Sequence, residues 1–256
     1  MILPIQPTKY NNLNSFLNKD IARNYFILLG LASKKSVYNK IYGEYKGNDL
    51  VALLFQRNSG TLQFFAPGEF DVEGFINLIS TLEYNSLIGS KLYCDKFLNK
   101  GIFTSADYGA YISKLDKDYE MNTFTHQYYI RNIEIDDLDE IVELYRGIFK
   151  SFAPKEVMEE KLKSGRGRGV CIVEQGRIIS VVQTDFEKED AAIIVGVGTK
   201  EEYQHKGMAT ECLEYLCRVL LKEGKNLFLQ YDNLEAGHIY ERIGFRRIDQ
   251  MLHYKK

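Results

Sequence analysis

Apolar and polar positions along this 256-residue chain predict short helices and strands in a similar order in each half. In the first half, apolar residues at helical spacing precede three short strands, and a second helix and further strands follow. These elements are predicted as a helix near residues 21–29, strands at 41–45, 50–55 and 61–65, a helix at 71–82, and strands at 91–95 and 111–115.

The second half opens with a strand and two helices and then shows the same succession of three strands, a helix and a strand. Pro154 stands where the first turn of a helix tolerates proline. The predicted elements are a strand at 128–133, helices at 138–145 and 154–163, strands at 170–173, 178–184 and 191–197, a helix that begins near 208 and ends before Gly224, a strand at 226–231, a helix at 234–243 and a strand at 246–254.

Residues 116–127 separate the two halves and are mostly polar or charged, which favours a linker. We therefore predict two domains, residues 1–120 and 121–256. The fold class expected from this order of elements is α/β (α+β), with a mixed, mostly antiparallel sheet flanked by helices in each domain.

One stretch combines a strand, a tight loop and a helix start in a way that suits anion binding. The apolar run 191–197 is followed by Gln204-His205-Lys206-Gly207-Met208-Ala209, which has the spacing Q-x-x-G-x-A. The first N–H groups of a helix have no partner within the helix and carry a partial positive charge, so a pyrophosphate placed there meets oriented donors. Gly207 would allow close approach and a positive φ, while Lys206 and Gln204 add a charge and a donor.

A second motif follows after one more predicted strand. Residues 233–245 read NLEAGHIYERIGF, with the spacing N-x-x-A-x-x-x-Y-x-x-x-G-F. In this order and at this separation, the two motifs resemble the signatures of the GNAT N-acetyltransferase superfamily over roughly residues 127–256.

The first half resembles that superfamily in its order of elements alone. Where the loop after the third strand would lie, the chain reads Ala66-Pro67-Gly68-Glu69-Phe70, in which proline removes an amide donor and no positive charge is supplied. The resemblance therefore implies two tandem GNAT-like domains of the bacterial two-domain type, with a degenerate first domain that does not bind CoA.

The resemblance also implies acetyl-CoA as co-substrate and gives individual residues their roles. Val197, Gly198 and Thr199 match the splayed strand end that binds the acyl carbonyl and the pantetheine arm, where an amide would stabilise an oxyanion. Asn233 matches a position that contacts the pantetheine, and Tyr240 matches the tyrosine that protonates the departing thiolate. The pyrophosphate loop would consist of Gln204, His205, Lys206, Gly207, Met208, Ala209 and Thr210.

Some of these residues also have purely structural interpretations. Asn233 could serve as the N-cap of the helix that follows it, and Tyr240 could be a core aromatic of that helix. Deprotonating a lysine-like amine at pH 7 costs roughly 4–5 kcal/mol, given a reference pKa near 10.4. A carboxylate or a water chain usually does this. The carboxylates near strand ends or the loop are Asp185, Glu187, Glu202 and Asp232, and none of them is singled out.

The segment 164–169, Ser-Gly-Arg-Gly-Arg-Gly, lacks the spacing of a phosphate loop and ends a predicted helix. A flexible connection is the first interpretation. The alternative is that Arg166 and Arg168 attract an acidic substrate or the 3′-phosphate of CoA.

Composition and charge exclude several other functions. The net charge is −2 and neither half has the basic excess of a general nucleic-acid binder, which disfavours a nucleic-acid partner. No apolar run could span a bilayer and no export leader opens the sequence, so no membrane association is expected. The cysteines lack metal-ligand spacing and predict reduced core or surface thiols in a cytoplasmic protein without a metal. They are Cys94, Cys171, Cys212 and Cys217.

The leading hypothesis is an N-acyltransferase that moves acetyl from acetyl-CoA to a primary amine of a small molecule or peptide by direct attack. A different acyl group is one alternative, and a non-catalytic acyl-CoA sensor or interaction protein is another. The acceptor, and whether the chain works as a homodimer, stay open at this stage.

Overall fold

The computed structural model describes residues 1–33, 35–121 and 127–256, and these form two compact units. The first unit comprises Met1–Ile112 and Arg247–Lys256, and the second comprises Ser113–Arg246. The predicted linker at 116–127 falls within the second unit, and its residues 122–126 lie outside the described residues. The predicted division into 1–120 and 121–256 stays a prediction.

Most strands lie close to their predicted positions, and two of them, at 61–65 and 226–231, begin and end where the pattern places them. The strands are β1 (Ile2–Pro4), β2 (Tyr38–Lys46), β3 (Asp49–Arg57), β4 (Thr61–Phe65), β5 (Ser86–Ser90), β6 (Ser105–Leu115), β7 (Ile130–Asn132), β8 (Gly169–Glu174), β9 (Arg177–Asp185), β10 (Ala191–Thr199), β11 (Asn226–Tyr231) and β12 (Arg246–Lys255).

Several helices begin at a residue that satisfies their unpaired N–H groups. The Asp20 carboxylate accepts from the Arg23 N–H at 3.2 Å, and Asp71 does the same for Gly74 at 2.8 Å. Pro154 is the N-cap residue of its helix. The α-helices are α1 (Asn14–Leu17), α2 (Ile21–Ala32), α3 (Val72–Ser80), α4 (Lys91–Cys94), α5 (Leu138–Arg146), α6 (Lys155–Lys163), α7 (Met208–Lys222) and α8 (Leu234–Ile243).

Two predictions in the first half are wrong. The strand predicted at 91–95 is the short helix α4, and the strand of this region is β5, just before it. Tyr93 and Cys94 are adjacent and both buried, which the alternating faces of a strand do not favour. The strand predicted at 111–115 is too short: β6 begins at Ser105, and pairing with β12 stabilises its first part although the side chains there are largely exposed.

The sheet of the first unit has the order β1-β2-β3-β4-β5-β12. Its neighbours are antiparallel except for β4 and β5, which are parallel and are joined through α3. Parallel neighbours need such a crossover because a hairpin cannot connect them.

The second unit contains the order β11-β10-β9-β8-β7. Here too the neighbours are antiparallel except for one pair, β10 and β11, which α7 connects. Both units therefore contain the same succession of strands, and the predicted fold class of mixed, mostly antiparallel sheets with flanking helices is confirmed.

Buried apolar side chains hold the helices of the second unit on its sheet. From α7, the side chains of Cys212, Leu213, Leu216 and Leu220 are fully buried. Burying a large aliphatic side chain stabilises a fold by about 1.5–3 kcal/mol. The cluster around α5 and α6 contains Ile133, Leu138, Ile141, Leu144, Tyr145, Met158, Cys171, Ile178 and Val181.

No helix within the described ranges has the length and apolar character needed to cross a membrane.

Candidate functional site

The two parallel strands of the second unit separate towards their carboxyl ends. Residues 191–193 of β10 pair with 226–228 of β11, and the pairing of the described residues ends there. On its other side β10 stays paired with β9 as far as Thr199. The carboxyl-terminal halves of β10 and β11 therefore form no ladder pairs with each other among the described residues, and this unpaired region (the opening) lies where ligands bind in open sheets with parallel strands.

A β-bulge lies in the wall of this opening. The register between β10 and β9 passes from Val195–Gln183 to Gly198–Val181, so Gly196 and Val197 together oppose one residue. Gly196 has φ +61°, a conformation that glycine adopts without steric cost. A bulge of this kind takes backbone groups out of the sheet ladder and leaves them for another partner.

The first turn of α7 offers unpaired amide donors. The N–H groups of Met208, Ala209 and Thr210 precede the first intrahelical bond, which runs from Glu211 N–H to Gly207 O at 3.0 Å. No side chain among the described residues caps this helix start. Unpaired amide donors and the helix dipole together suit an anion such as a pyrophosphate.

The sign of φ alternates along the loop before α7. Gly207 has φ +82° and His205 has φ +61°, while Lys206 between them has no positive φ. Alternating backbone handedness directs successive N–H groups into one anion-binding concavity. Gly207 adopts the positive φ that glycine allows, and open space surrounds the position that a β-carbon would take.

Side chains of the loop are largely exposed and support its shape. The Gln204 amide donates to Thr199 O at 3.2 Å, which closes the loop on itself. The Lys206 ammonium lies 4.9 Å from the centre of the Tyr203 ring, and Lys206 O accepts from the Tyr128 hydroxyl at 3.1 Å. The exposed Lys206 charge is therefore placed at the loop, whereas one donor of Gln204 is already used.

The end of β10 is held against β9. The Ser180 hydroxyl donates to Gly198 O at 3.2 Å and lies 2.8 Å from the Thr199 hydroxyl. Both Ser180 and Thr199 are buried. The Thr199 side chain thus has a structural role, and the predicted contribution of residues 197–199 to ligand binding rests on their backbone.

Asn233 lies just after β11 and is the N-cap of α8. Its Oδ1 accepts from the N–H groups of Glu235 at 2.9 Å and Ala236 at 3.4 Å. Its Nδ2 donates to none of the described residues and is exposed. The capping interpretation therefore agrees with the geometry, and the predicted pantetheine contact would use the other amide atom.

We expect two substitutions to separate these roles of Asn233. Asn233→Ala removes the cap and lowers the free energy of unfolding by about 1 kcal/mol, whereas Asn233→Asp retains an acceptor and the stability. Both variants lose Nδ2, so both bind acetyl-CoA more weakly than the wild type. Chemical denaturation and calorimetric titration measure the two effects, and unchanged affinity in both variants would leave Asn233 as a cap alone.

Tyr240 lies on α8 with its ring against the end of β11. It is 7% exposed, and its ring centre is 5.2 Å from that of Tyr231. Its hydroxyl forms no hydrogen bond with a described residue. Burial, with a smaller contribution from Tyr231, raises the pKa of Tyr240 to about 12, so the hydroxyl carries its proton at neutral pH.

The structure distinguishes among the carboxylates considered as bases. Glu187 accepts from Arg168 at 2.7 Å and from the Thr184 hydroxyl, so it belongs to a structural network. Asp185 pairs with Ile193 in the first half of β10, away from the loop. The other two carboxylates, Glu202 and Asp232, are exposed near the carboxyl ends of the parallel strands.

The arginines of segment 164–169 form ion pairs. Arg168 contacts Glu187 at 2.7 Å and Glu223 at 2.6 Å, and Arg166 contacts Glu160 at 3.0 Å. Carboxylates already neutralise these charges, which favours the structural interpretation of this loop over anion capture.

The cysteines offer no reactive thiolate. All four are free and buried, so the expectation of reduced core thiols agrees with their placement. Burial raises the pKa of Cys171 to about 11 and that of Cys212 to about 12, and it raises those of Cys94 and Cys217 as well. A protonated, inaccessible thiol is a poor nucleophile.

Two residues of the site region were missed by the sequence analysis. The Tyr145 hydroxyl donates to Gly196 O at the bulge, at 2.8 Å, and accepts from Gln183 Nε2 at 2.8 Å. Both side chains are buried. The available signals were a tyrosine on the buried face of α5 and a glutamine within an otherwise apolar strand, since buried polar groups need partners.

The fold described above resembles those of several solved structures. An acetyltransferase of the GNAT family from Colwellia psychrerythraea aligns with a TM-score of 0.71 at 13% identity, over 100% of this chain and 99% of that one. A GCN5-related N-acetyltransferase from Sphaerobacter thermophilus gives 0.67 at 11% identity, over 100% and 95%. A tandem GNAT protein from the clavulanic acid biosynthesis pathway gives 0.64 at 12% identity, over 100% and 98%. At such identities the likeness is one of fold.

The sequence itself matches a family model. No curated protein matches it, but the model described as GNAT acetyltransferase matches residues 93–254, well over half of the chain. The predicted superfamily is thereby confirmed. The opening between β10 and β11 and the uncapped start of α7 agree with this match. The chain belongs to the GNAT acetyltransferase family, a family of acyltransferases.

Proposed function

We propose that this protein is an N-acyltransferase that transfers the acetyl group of acetyl-CoA to a primary amine of a small molecule or peptide. The observation that carries the proposal is the uncapped start of α7 beside the opening between β10 and β11. A pyrophosphate fits the first feature, and an extended pantetheine arm fits the second.

In this proposal the chain binds the co-substrate mainly through backbone groups. The amides of residues 205–210 hold the pyrophosphate, with Lys206 adding charge, and the edge of β10 at 197–199 receives the pantetheine arm. Acetyl-CoA supplies an activated acyl group as a thioester. The protein must then orient the acyl carbonyl and admit an amine. It must also accept a proton from the amine and supply one to the departing sulfur.

Two groups of the chain assist the transfer. The N–H of Val197 at the bulge donates to the acyl oxygen, which gains negative charge as the amine attacks. The Tyr240 hydroxyl gives its proton to the departing sulfur as the carbon–sulfur bond breaks. The attacking amine must lose a proton as well, and no single carboxylate is assigned to that task.

The proposal is tested by incubating the purified protein with acetyl-CoA and a panel of amines, including polyamines, amino sugars and peptide N-termini. Free thiol is followed with a chromogenic reagent, and mass spectrometry checks for an acetylated product. Thiol release that depends on one amine and yields its acetylated form supports the proposal. Tight binding of acetyl-CoA without turnover of any amine would favour an acyl-CoA sensor.

We also propose that the first unit does not bind CoA, because its corresponding helix start is already occupied by carboxylates. Asp71 Oδ1 accepts from the Gly74 N–H at 2.8 Å, and the buried Glu44 Oε2 accepts from the Asp71 N–H at 2.9 Å. Two negative charges at the start of α3 repel the pyrophosphate that the open start of α7 would attract.

Aromatic side chains occupy the region beside β4 in the first unit. Phe65, at the end of that strand, lies 5.3 Å from both Phe16 and Tyr93, measured between ring centres. All three side chains are buried. Pro67 follows in the loop and lacks an N–H donor.

We therefore expect one molecule of acetyl-CoA per chain. Isothermal titration of the whole protein measures the stoichiometry directly. Two molecules per chain, or one that persists when the α7 loop is disabled by Gly207→Glu, would show that the first unit binds as well.

A further inference from the structure

A buried hydrogen-bonded relay reaches the bulge from the face of the sheet covered by α5. Gln183 Nε2 donates to the Tyr145 hydroxyl at 2.8 Å, and that hydroxyl donates to Gly196 O at 2.8 Å. The exposed fractions of Gln183 and Tyr145 are 1% and 3%. The acyl transfer described above assigns neither side chain of this relay a role.

The proton order in this relay follows from the donors available. An amide NH₂ can only donate, so the Tyr145 oxygen accepts from Gln183 and must direct its single proton to Gly196 O. The opposite order would leave the oxygens of Tyr145 and Gly196 facing each other without a proton. Burial raises the pKa of Tyr145, which keeps that proton in place.

The contact fixes the peptide that carries the oxyanion donor. Gly196 C=O and Val197 N–H belong to one planar trans unit, so they point in opposite directions. Holding the carbonyl towards Tyr145 turns the Val197 N–H away from α5. Neither Gly196 nor Val197 has a ladder partner among the described residues of β9 or β11, so the sheet alone does not set the orientation of this peptide.

Glycine at 196 makes this contact possible. A β-carbon there would lie 2.1 Å from the Tyr145 oxygen, far inside contact distance. The Tyr145 hydroxyl therefore needs a glycine at position 196 of the bulge. Through this tyrosine, α5 contacts the bulge from the face of the sheet that it covers.

We propose that Tyr145, oriented by Gln183, is a positioning residue that fixes the Gly196–Val197 peptide so that the Val197 amide meets the acyl carbonyl of bound acyl-CoA. The inference rests on the proposed function. Its new content is that a side chain that does not touch the reacting atoms sets the orientation of the oxyanion donor.

The test compares acetyl-CoA with CoA, because the acyl carbonyl is the part of the ligand that the Val197 amide would contact. Tyr145→Phe retains the ring, which packs 5.2 Å from Phe149 and 5.6 Å from Phe152. We expect the Kd for CoA to stay within twofold of the wild type and the Kd for acetyl-CoA to rise about fivefold, as for loss of one well-placed hydrogen bond. With an accepted amine, kcat falls by about tenfold or more while the KM for acetyl-CoA follows its Kd.

Two further variants keep the test decisive if Tyr145→Phe folds poorly. Gln183→Met removes the orienting donor at similar volume and should change the same affinity ratio in the same direction. Phe149→Leu alters packing around Tyr145 without touching the relay and should leave the ratio unchanged.

The outcomes separate the two proposals. Wild type that binds neither CoA nor acetyl-CoA would overturn the proposed function and this inference with it. Wild type that binds both, together with Tyr145→Phe and Gln183→Met variants that keep the wild-type affinity ratio and kcat, would overturn this inference alone.

Discussion

Replacing Gly207 by glutamate is expected to abolish acetyl-CoA binding. The substitution places a carboxylate at the positive end of α7, where the pyrophosphate would lie, and forces a side chain into a backbone conformation with φ +82°. Ligand at 100 times its Kd stabilises the wild type by about 2.7 kcal/mol, and this stabilisation should vanish in the variant. Thermal unfolding with and without acetyl-CoA measures the difference.

The same helix offers a matched control at its other end. Gly224 has φ +78° and similarly open surroundings. Gly224→Glu therefore introduces the same strain and charge, and it should keep the full response to acetyl-CoA. A Gly207→Glu protein that is stabilised as much as the wild type would show that the ligand binds elsewhere.

Replacing Tyr240 by phenylalanine is expected to lower kcat by roughly 10²–10⁴-fold, the usual contribution of a general acid. The ring remains packed against Tyr231, so the fold and the Kd for acetyl-CoA should change little. The loss arises because the departing thiolate no longer receives a proton from the protein. Steady-state kinetics with an accepted amine, together with calorimetric binding, measure the two quantities separately.

Tyr84→Phe serves as a comparison for this variant. It removes a hydroxyl that donates to Ile102 O at 2.9 Å in the first unit, and it should leave kcat unchanged. If Tyr240→Phe retains wild-type kcat, the tyrosine is a core aromatic. The thiolate then leaves without protonation, or another acid protonates it.

Local signals explain why parts of the second unit could be predicted from sequence. The helix α8 begins and ends where Asn233 and Gly244 place it, because an asparagine N-cap and a glycine with φ 114° act within a few residues of themselves. The same holds for the start of α7 at Gly207. Such features need no information from distant parts of the chain.

The remaining features depend on contacts between distant residues. A glycine inside a strand often marks a bulge, but β10 contains both Gly196 and Gly198, and the local pattern does not fix where the register shifts. The partner of its carbonyl, Tyr145, lies 51 positions earlier in the sequence. Likewise, the exposed start of β6 has little apolar pattern and is a strand because β12 pairs with it.

The placement of β12 has a consequence for synthesis of the protein. This strand lies beside β5 in the sheet of the first unit, yet it follows the whole second unit in sequence. During translation the edge of β5 stays open until residues 246–255 have left the ribosome, and open strand edges invite wrong pairing. A nascent chain stalled at residue 245 should therefore be cleaved by protease in the first unit faster than a chain that includes residues 246–255, because β5 has no partner on that edge until β12 is present.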